Sequence, residues 1–220
     1  KKFQDLLKKN GATVYTVKEV LLKNVVDADG EPIEGEELEE FKLFARSCVR
    51  INTSAKASLS LEEIEEQHKY LDGVFEVMHP VDLVRTILLQ PNLILKKTAT
   101  NTFVTADYNA NPVMNLYFSR DQLITTAKGI VVTNLNSPQR EIETKILSLC
   151  LKKLGVTPVL NLFKTNKKAF LEGGDFYMLG NTALIGQVMR TNKLAIKELM
   201  RADAIGTETV AIVKDKYHHQ

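Results

Sequence analysis

The order strand, strand, helix, strand recurs in the second half of the chain, and it narrows the fold more than any other feature. The first run covers about 113–163 and the second about 176–214. In the first, 113–118 and 122–132 are short apolar or β-branched runs, with Lys128-Gly129 as a turn signal. Ser137-Pro138 then opens a helix that reaches Leu154, where Gly155 stops it. A strand over 156–163 closes the run. The second sets Phe176–Leu179 and Thr182–Gln187 around Gly180-Asn181, as a hairpin. A helix over 192–201 and a strand over 209–214 follow. No sequence repeat accompanies this repeated order. It predicts an α/β fold assembled from similar small modules, not one long parallel sheet.

The first half reads differently. Residues 1–9 predict a helix with Phe3, Leu6 and Leu7 on one face, stopped at Asn10-Gly11, and 12–17 predict a strand. Asp, Gly and Pro cluster at 27–35. From 36 to about 89 the spacing is helical, through Leu38 and Phe41, then Leu61 and Ile64, then Val84 and Ile87. Ser60 with Glu63 three residues on forms a capping box, and Pro80 suits a first helical turn. Past Pro91 the short apolar runs begin, the first at 92–95. The division is therefore 1–35 as the start of the α/β domain, 36–90 as a helical insertion and 91–220 as the modules.

Composition removes several functions. Lys and Arg number 29 against 27 Asp and Glu, a net charge of +2, which lacks the basic excess of a nucleic-acid binder. No run approaches the ~18 apolar residues of a membrane span, and residues 1–10 are too charged for a signal peptide. Cys48 and Cys150 are the only cysteines. They make neither a disulfide framework nor a zinc module, and they point to a reducing, cytoplasmic compartment. The chain opens on Lys1 and not on Met, so it reads as a fragment.

Four constellations offer chemistry. Asn115-Leu-Tyr-Phe118-Ser-Arg120-Asp121 reads as an apolar strand ending in an Arg-Asp pair, either a plain ion pair or a carboxylate aimed into a cleft. Glu172-Gly-Gly-Asp175 sets two acids around glycines that permit positive φ or close approach. It is either an acidic surface turn or a cation site, and one turn carries too few oxygens for a metal. Arg140, with Glu143 one turn on, and Arg190-Thr191 each follow a hairpin. Each arginine alone is an ordinary surface residue. Converging on one pocket, the two would clamp a carboxylate through bidentate bonds.

These four motifs, in this order and rough spacing, resemble those of arginine deiminase, a family of the guanidine-modifying, amidinotransferase-like superfamily. The resemblance is best over about 90–214. It implies a pentein, or α/β propeller, here partial and with an inserted helical subdomain. It implies hydrolysis of free L-arginine to L-citrulline and ammonia, without a cofactor or metal. A cysteine thiolate attacks the guanidinium carbon, and water resolves the covalent thiouronium. Carried over, Asp121 and Glu172 are catalytic carboxylates that bind the guanidinium. Arg140 and Arg190 hold the α-carboxylate, and Asn115 and Phe118 line the amino-acid end. Arg120 and Asp175 fall to supporting roles. The small-molecule partner is L-arginine, with no nucleic acid and no membrane, and a homo-oligomer is left open.

The family's His-Leu-Asp motif and nucleophilic cysteine are expected beyond Gln220, and its first strand ahead of Lys1. The chain alone is therefore expected to be inactive. His218 and His219 are not followed by Leu-Asp, and His68 precedes Asp121, the wrong order. Cys48 and Cys150 read as buried small hydrophobes. Two alternatives stay open: a related agmatine or dimethylarginine hydrolase or amidinotransferase, and a non-catalytic arginine-binding module or pseudoenzyme.

Overall fold

Two reciprocal side-chain caps fix where helices begin in the first half of the chain. The computed structural model describes residues 2–54, 59–98 and 101–214, the side chains at 98, 101 and 102 excepted. After α1 (Lys2–Lys9), the strand expected at 12–17 does not form. Thr16 instead caps α2 (Val17–Leu22). Its hydroxyl oxygen accepts the Glu19 N–H at 3.2 Å, while the Glu19 carboxylate accepts the Thr16 N–H at 2.8 Å. A Thr-x-x-Glu capping box outweighs the β-branched character of the run. Ser60 caps α4 in the same way, as the sequence predicts. Ser60→Ala is expected to lower stability by about 1 kcal/mol, measured as a shifted urea midpoint; an unshifted midpoint would refute that role.

The stretch 36–89 is not helical throughout. It holds α3 (Glu36–Ser47), β1 (Arg50–Thr53), α4 (Leu61–Glu76) and α5 (Pro80–Leu89), with Pro80 in the first turn of α5. β2 (Pro91–Thr98) pairs in parallel with β1 and antiparallel with β3 (Asn101–Ala110). The short β1 carries no alternation of burial to announce it. Residues 1–112 form one compact unit, with Leu21, Leu38, Phe41, Leu83 and Ile87 in its core.

Residues 113–220 form the second unit, and it contains both modules. A short α6 (Ser119–Gln122) leads into β4 (Leu123–Thr126) and β5 (Gly129–Val132). A 3-10 turn over Pro138–Arg140 enters α7 (Glu141–Lys153), and β6 (Leu160–Asn161) and α8 (Leu162–Thr165) follow. The strand expected over 156–163 is thus only two residues long. Asn161 turns the chain into α8 by accepting the Lys164 N–H. A second 3-10 turn, Gly173–Asp175, opens β7 (Phe176–Leu179), β8 (Thr182–Gln187), α9 (Lys193–Arg201) and β9 (Thr209–Lys214).

The two sheets have one topology. β4 is antiparallel to β5 and β5 parallel to β6; β7 is antiparallel to β8 and β8 parallel to β9. In each, the long helix supplies the crossover that a parallel pair requires. One apolar cluster spans both, from Ile124, Val131 and Leu160 to Phe176, Ile185 and Leu199. The α/β class and the modular construction expected from the sequence are both present.

Candidate functional site

Three consecutive residues of α6 reach different partners. Arg120 donates from Nε to the Gly173 carbonyl at 3.2 Å and from Nη2 to the Phe176 carbonyl at 2.6 Å. Its guanidinium also lies 5.0 Å from the centre of the Tyr177 ring. Asp121 Oδ2 accepts from Arg140 Nη2 at 3.0 Å. Gln122, fully buried, donates its amide N–H to Glu143 Oε2.

Arg140 stands at the centre. It ends the 3-10 turn before α7, so its side chain starts beside the first helical turn, where Glu143 also lies. Nε and Nη2 meet Glu143 Oε2 at 3.0 and 2.9 Å. Nη1 donates to Glu172 Oε1, whose other oxygen accepts from Arg190 Nη1 at 3.1 Å. Burial works against the charge on Arg140. The hydrogen bonds to Glu143 and Asp121, with the charges of Glu143 and Glu172, outweigh it and hold the guanidinium pKa above its ordinary value. Three carboxylates face two guanidinium groups, so the cluster carries one net negative charge.

The arginines differ in exposure. The Arg140 side chain is 13% exposed and that of Arg190 is 63% exposed. Asn115, Arg140, Glu172 and Arg190 line one cavity of about 370 Å³, with Ser137 and Met189 among its other walls. Phe118 is placed elsewhere: it is half-exposed, its ring set edge-on to Tyr117, and it is not among the lining residues described.

The run at 113–118 is a loop, not the strand expected. Phe118 N–H donates to the Asn115 carbonyl and Asp121 N–H to the Phe118 carbonyl, so local turns use the groups a strand would pair. Met114, Tyr117 and Phe118 all face solvent, which removes the apolar side a strand would bury. The loop is anchored by the Asn115 N–H, which donates to Glu143 Oε1 at 3.2 Å.

Gly173 and Gly174 do not use the positive φ that glycine allows. Gly173 is needed for space, since a Cβ there would stand 1.7 Å from the Arg120 carbonyl oxygen. The following acid is tied down by Thr191, which is fully buried. The Thr191 hydroxyl donates to Asp175 Oδ2 at 2.6 Å and accepts the Glu172 N–H at 3.1 Å. Arg120, Asp175 and Thr191 thus form the frame that presents Asp121 and Glu172. Gln122 and Thr191 carry roles that sequence reasoning did not give them. Their only signal was adjacency to Asp121 and Arg190.

Cys48 and Cys150 are both buried, and burial pushes the Cys150 thiol up to about 12 against a weak opposing pull from Lys153. Such a thiol is a poor nucleophile near neutrality. His68 lies exposed on α4 in the first unit, against Arg46. His218 and His219 lie outside the described residues. Among the described residues no three His, Cys, Asp or Glu side chains are grouped to hold a metal ion, and no helix is long and apolar enough to cross a membrane.

The strand–strand–helix–strand modules, two of one topology, give the chain the α/β construction of a partial pentein. The chain matches the family model described as arginine deiminase over residues 1–220, and it is a member of that family. It is 27% identical over 166 residues to the arginine deiminase of Lactococcus lactis, covering 67% of this chain and 40% of that protein. A Mycoplasma pneumoniae protein named for the same activity is 27% identical over 108 residues, 48% of this chain and 27% of that one. The matched stretches therefore cover less than half the length of these relatives. Among solved structures, a dimethylarginine dimethylaminohydrolase is 20% identical with a TM-score of 0.39, covering 46% of this chain and 40% of that one. A Pseudomonas aeruginosa DDAH complexed with citrulline is 15% identical with a TM-score of 0.39, over 78% and 62%.

Proposed function

We propose that this chain carries the substrate-recognition half of an arginine deiminase, which hydrolyses free L-arginine to L-citrulline and ammonia. The observation that carries the reading is the Arg140 guanidinium, held between Asp121 and Glu172. A substrate guanidinium presents the same donors and takes Asp121 and Glu172 by displacing the Arg140 end that meets them, which turns that end of Arg140 to the substrate carboxylate. Exposed Arg190 in the same cavity supplies a cation for an α-carboxylate at the other end. Asn115 belongs to that end, and Phe118 is assigned to it as a neighbour of the loop.

On this reading Asp121 and Glu172 orient the guanidinium plane toward a thiolate, and the site's surplus negative charge favours a cationic ligand. Cys48 and Cys150 are not that nucleophile. Two reduced thiols suit a cytoplasmic setting. The reaction needs no metal or cofactor, because the thiolate and an acid–base group carry it.

The test is calorimetric titration of the folded chain with L-arginine and with agmatine, which lacks the carboxylate. A lost charge-assisted bond costs about 1.5–3 kcal/mol, so agmatine is expected to bind about 10–100-fold more weakly. Equal binding of the two, or no heat at millimolar L-arginine, would overturn the reading. Binding without citrulline formation by the complete protein would replace the enzyme with an arginine-binding module.

A further inference from the structure

Glu143 is the most buried carboxylate of the cluster, with 1% of its side chain exposed. It touches no substrate group in the proposal above, yet it holds two residues that line the cavity, Asn115 and Arg140. Oε1 accepts the backbone N–H of Asn115 at 3.2 Å. Oε2 accepts from Arg140 Nε and Nη2, and from the Gln122 amide. Asn115 comes from a loop and Arg140 from a 3-10 turn, 25 residues apart in sequence. One carboxylate fixes both.

The geometry is demanding. By docking the Nε–Nη2 edge of Arg140, Glu143 sets the plane of the guanidinium and leaves Nη1 to meet Glu172. It also sets the Gln122 amide, whose Oε1 is buried with no donor among the described residues. A buried amide is left half satisfied so that the carboxylate is fully satisfied.

We propose that Glu143 is a positioning residue that sets selectivity for the α-carboxylate of the ligand, by holding Asn115 and Arg140 in register. This rests on the arginine reading above. The substitution Glu143→Gln keeps the shape and brings an NH2 group. That group faces either the Asn115 N–H or the Arg140 and Gln122 donors, donor against donor. The anchor of one residue or the other is lost, while Asp121 and Glu172 stay in place for the guanidinium.

The experiment measures the affinity ratio of L-arginine to agmatine for the wild-type chain, Glu143→Gln and Glu143→Asp. The ratio is expected to fall by about tenfold in Glu143→Gln, the scale of one charge-assisted hydrogen bond. Glu143→Asp keeps the charge one methylene short and is expected to lie between; it carries the test alone if Glu143→Gln does not fold. A purely structural role would weaken both ligands together and leave the ratio unchanged. A wild-type ratio above one that both variants retain overturns this proposal and leaves the arginine reading standing. A wild-type ratio of one overturns both.

Discussion

Replacing Arg140 with alanine is expected to destabilise the second unit by about 3–5 kcal/mol, the scale for stripping one partner from a buried ion network. The side chain is 13% exposed, and the carboxylates it serves at Glu143 and Glu172 are 1% and 7% exposed. Without the guanidinium, three acids face one another across a void, and water is poorly placed to screen them. Lysine would restore the charge without the fork. Its compact ammonium lacks the planar donor array that reaches three carboxylates at once, so Arg140→Lys should fall between wild type and Arg140→Ala.

Arg190 supplies the contrast. Its ion pair to Glu172 uses a side chain that is 63% exposed, and exposed pairs are worth about 0–1 kcal/mol. Arg190→Ala should therefore leave the urea midpoint nearly unmoved while it weakens L-arginine binding. The order of midpoints in urea decides the matter. If Arg140→Ala unfolds at the same concentration as Arg190→Ala, Arg140 is not the keystone of this cluster.

That division of labour was only half legible in the chain. The motifs Asp121, Arg140, Glu172 and Arg190 stand out because charges at the ends of apolar runs are conspicuous. β7 and β8 are readable because Gly180-Asn181 punctuates two apolar stretches, where Gly180 adopts a φ of 56°, and β9 because 209–214 is rich in β-branched residues. Glu143 is different. It shares the first turn of α7 with Glu141, whose side chain is 47% exposed and pairs with Lys145. The spacing of Glu143 one turn after Arg140 offers their pairing, but its hold on a loop 28 residues earlier is not written in Glu-Ile-Glu. The same limit hid β1, whose parallel partner β2 is 42 residues distant at Asn52 and Ile94. The strand misread at 12–17 was a local error, since Thr16 and Glu19 carried the capping signal within four residues.

Gly173→Ala is the second large effect, and its cause is geometric. An added Cβ would sit 1.7 Å from the Arg120 carbonyl oxygen, 2.7 Å from its carbon and 3.0 Å from the Ile124 Cγ2. Two of those atoms are backbone and cannot rotate away. The same Arg120 donates from its side chain to the Gly173 carbonyl, so α6 and the Gly173–Asp175 turn are locked together from both sides. A methyl group must drive them apart, at about 3 kcal/mol or more, the upper range for overpacking. Separation would also draw Asp121, on α6, away from Glu172, at the entry of the turn. Both hold Arg140, so L-arginine binding should fall with stability. Gly174→Ala is the internal control, because its Cβ would meet only Asp121 Oδ1 at 3.7 Å, an ordinary contact. Neither glycine needs a positive φ, so alanine costs little in backbone strain at either position. The urea midpoint of Gly173→Ala should lie far below that of Gly174→Ala. Coincident midpoints would mean that α6 and the turn can part without loss, and that the acid pair does not depend on their close approach.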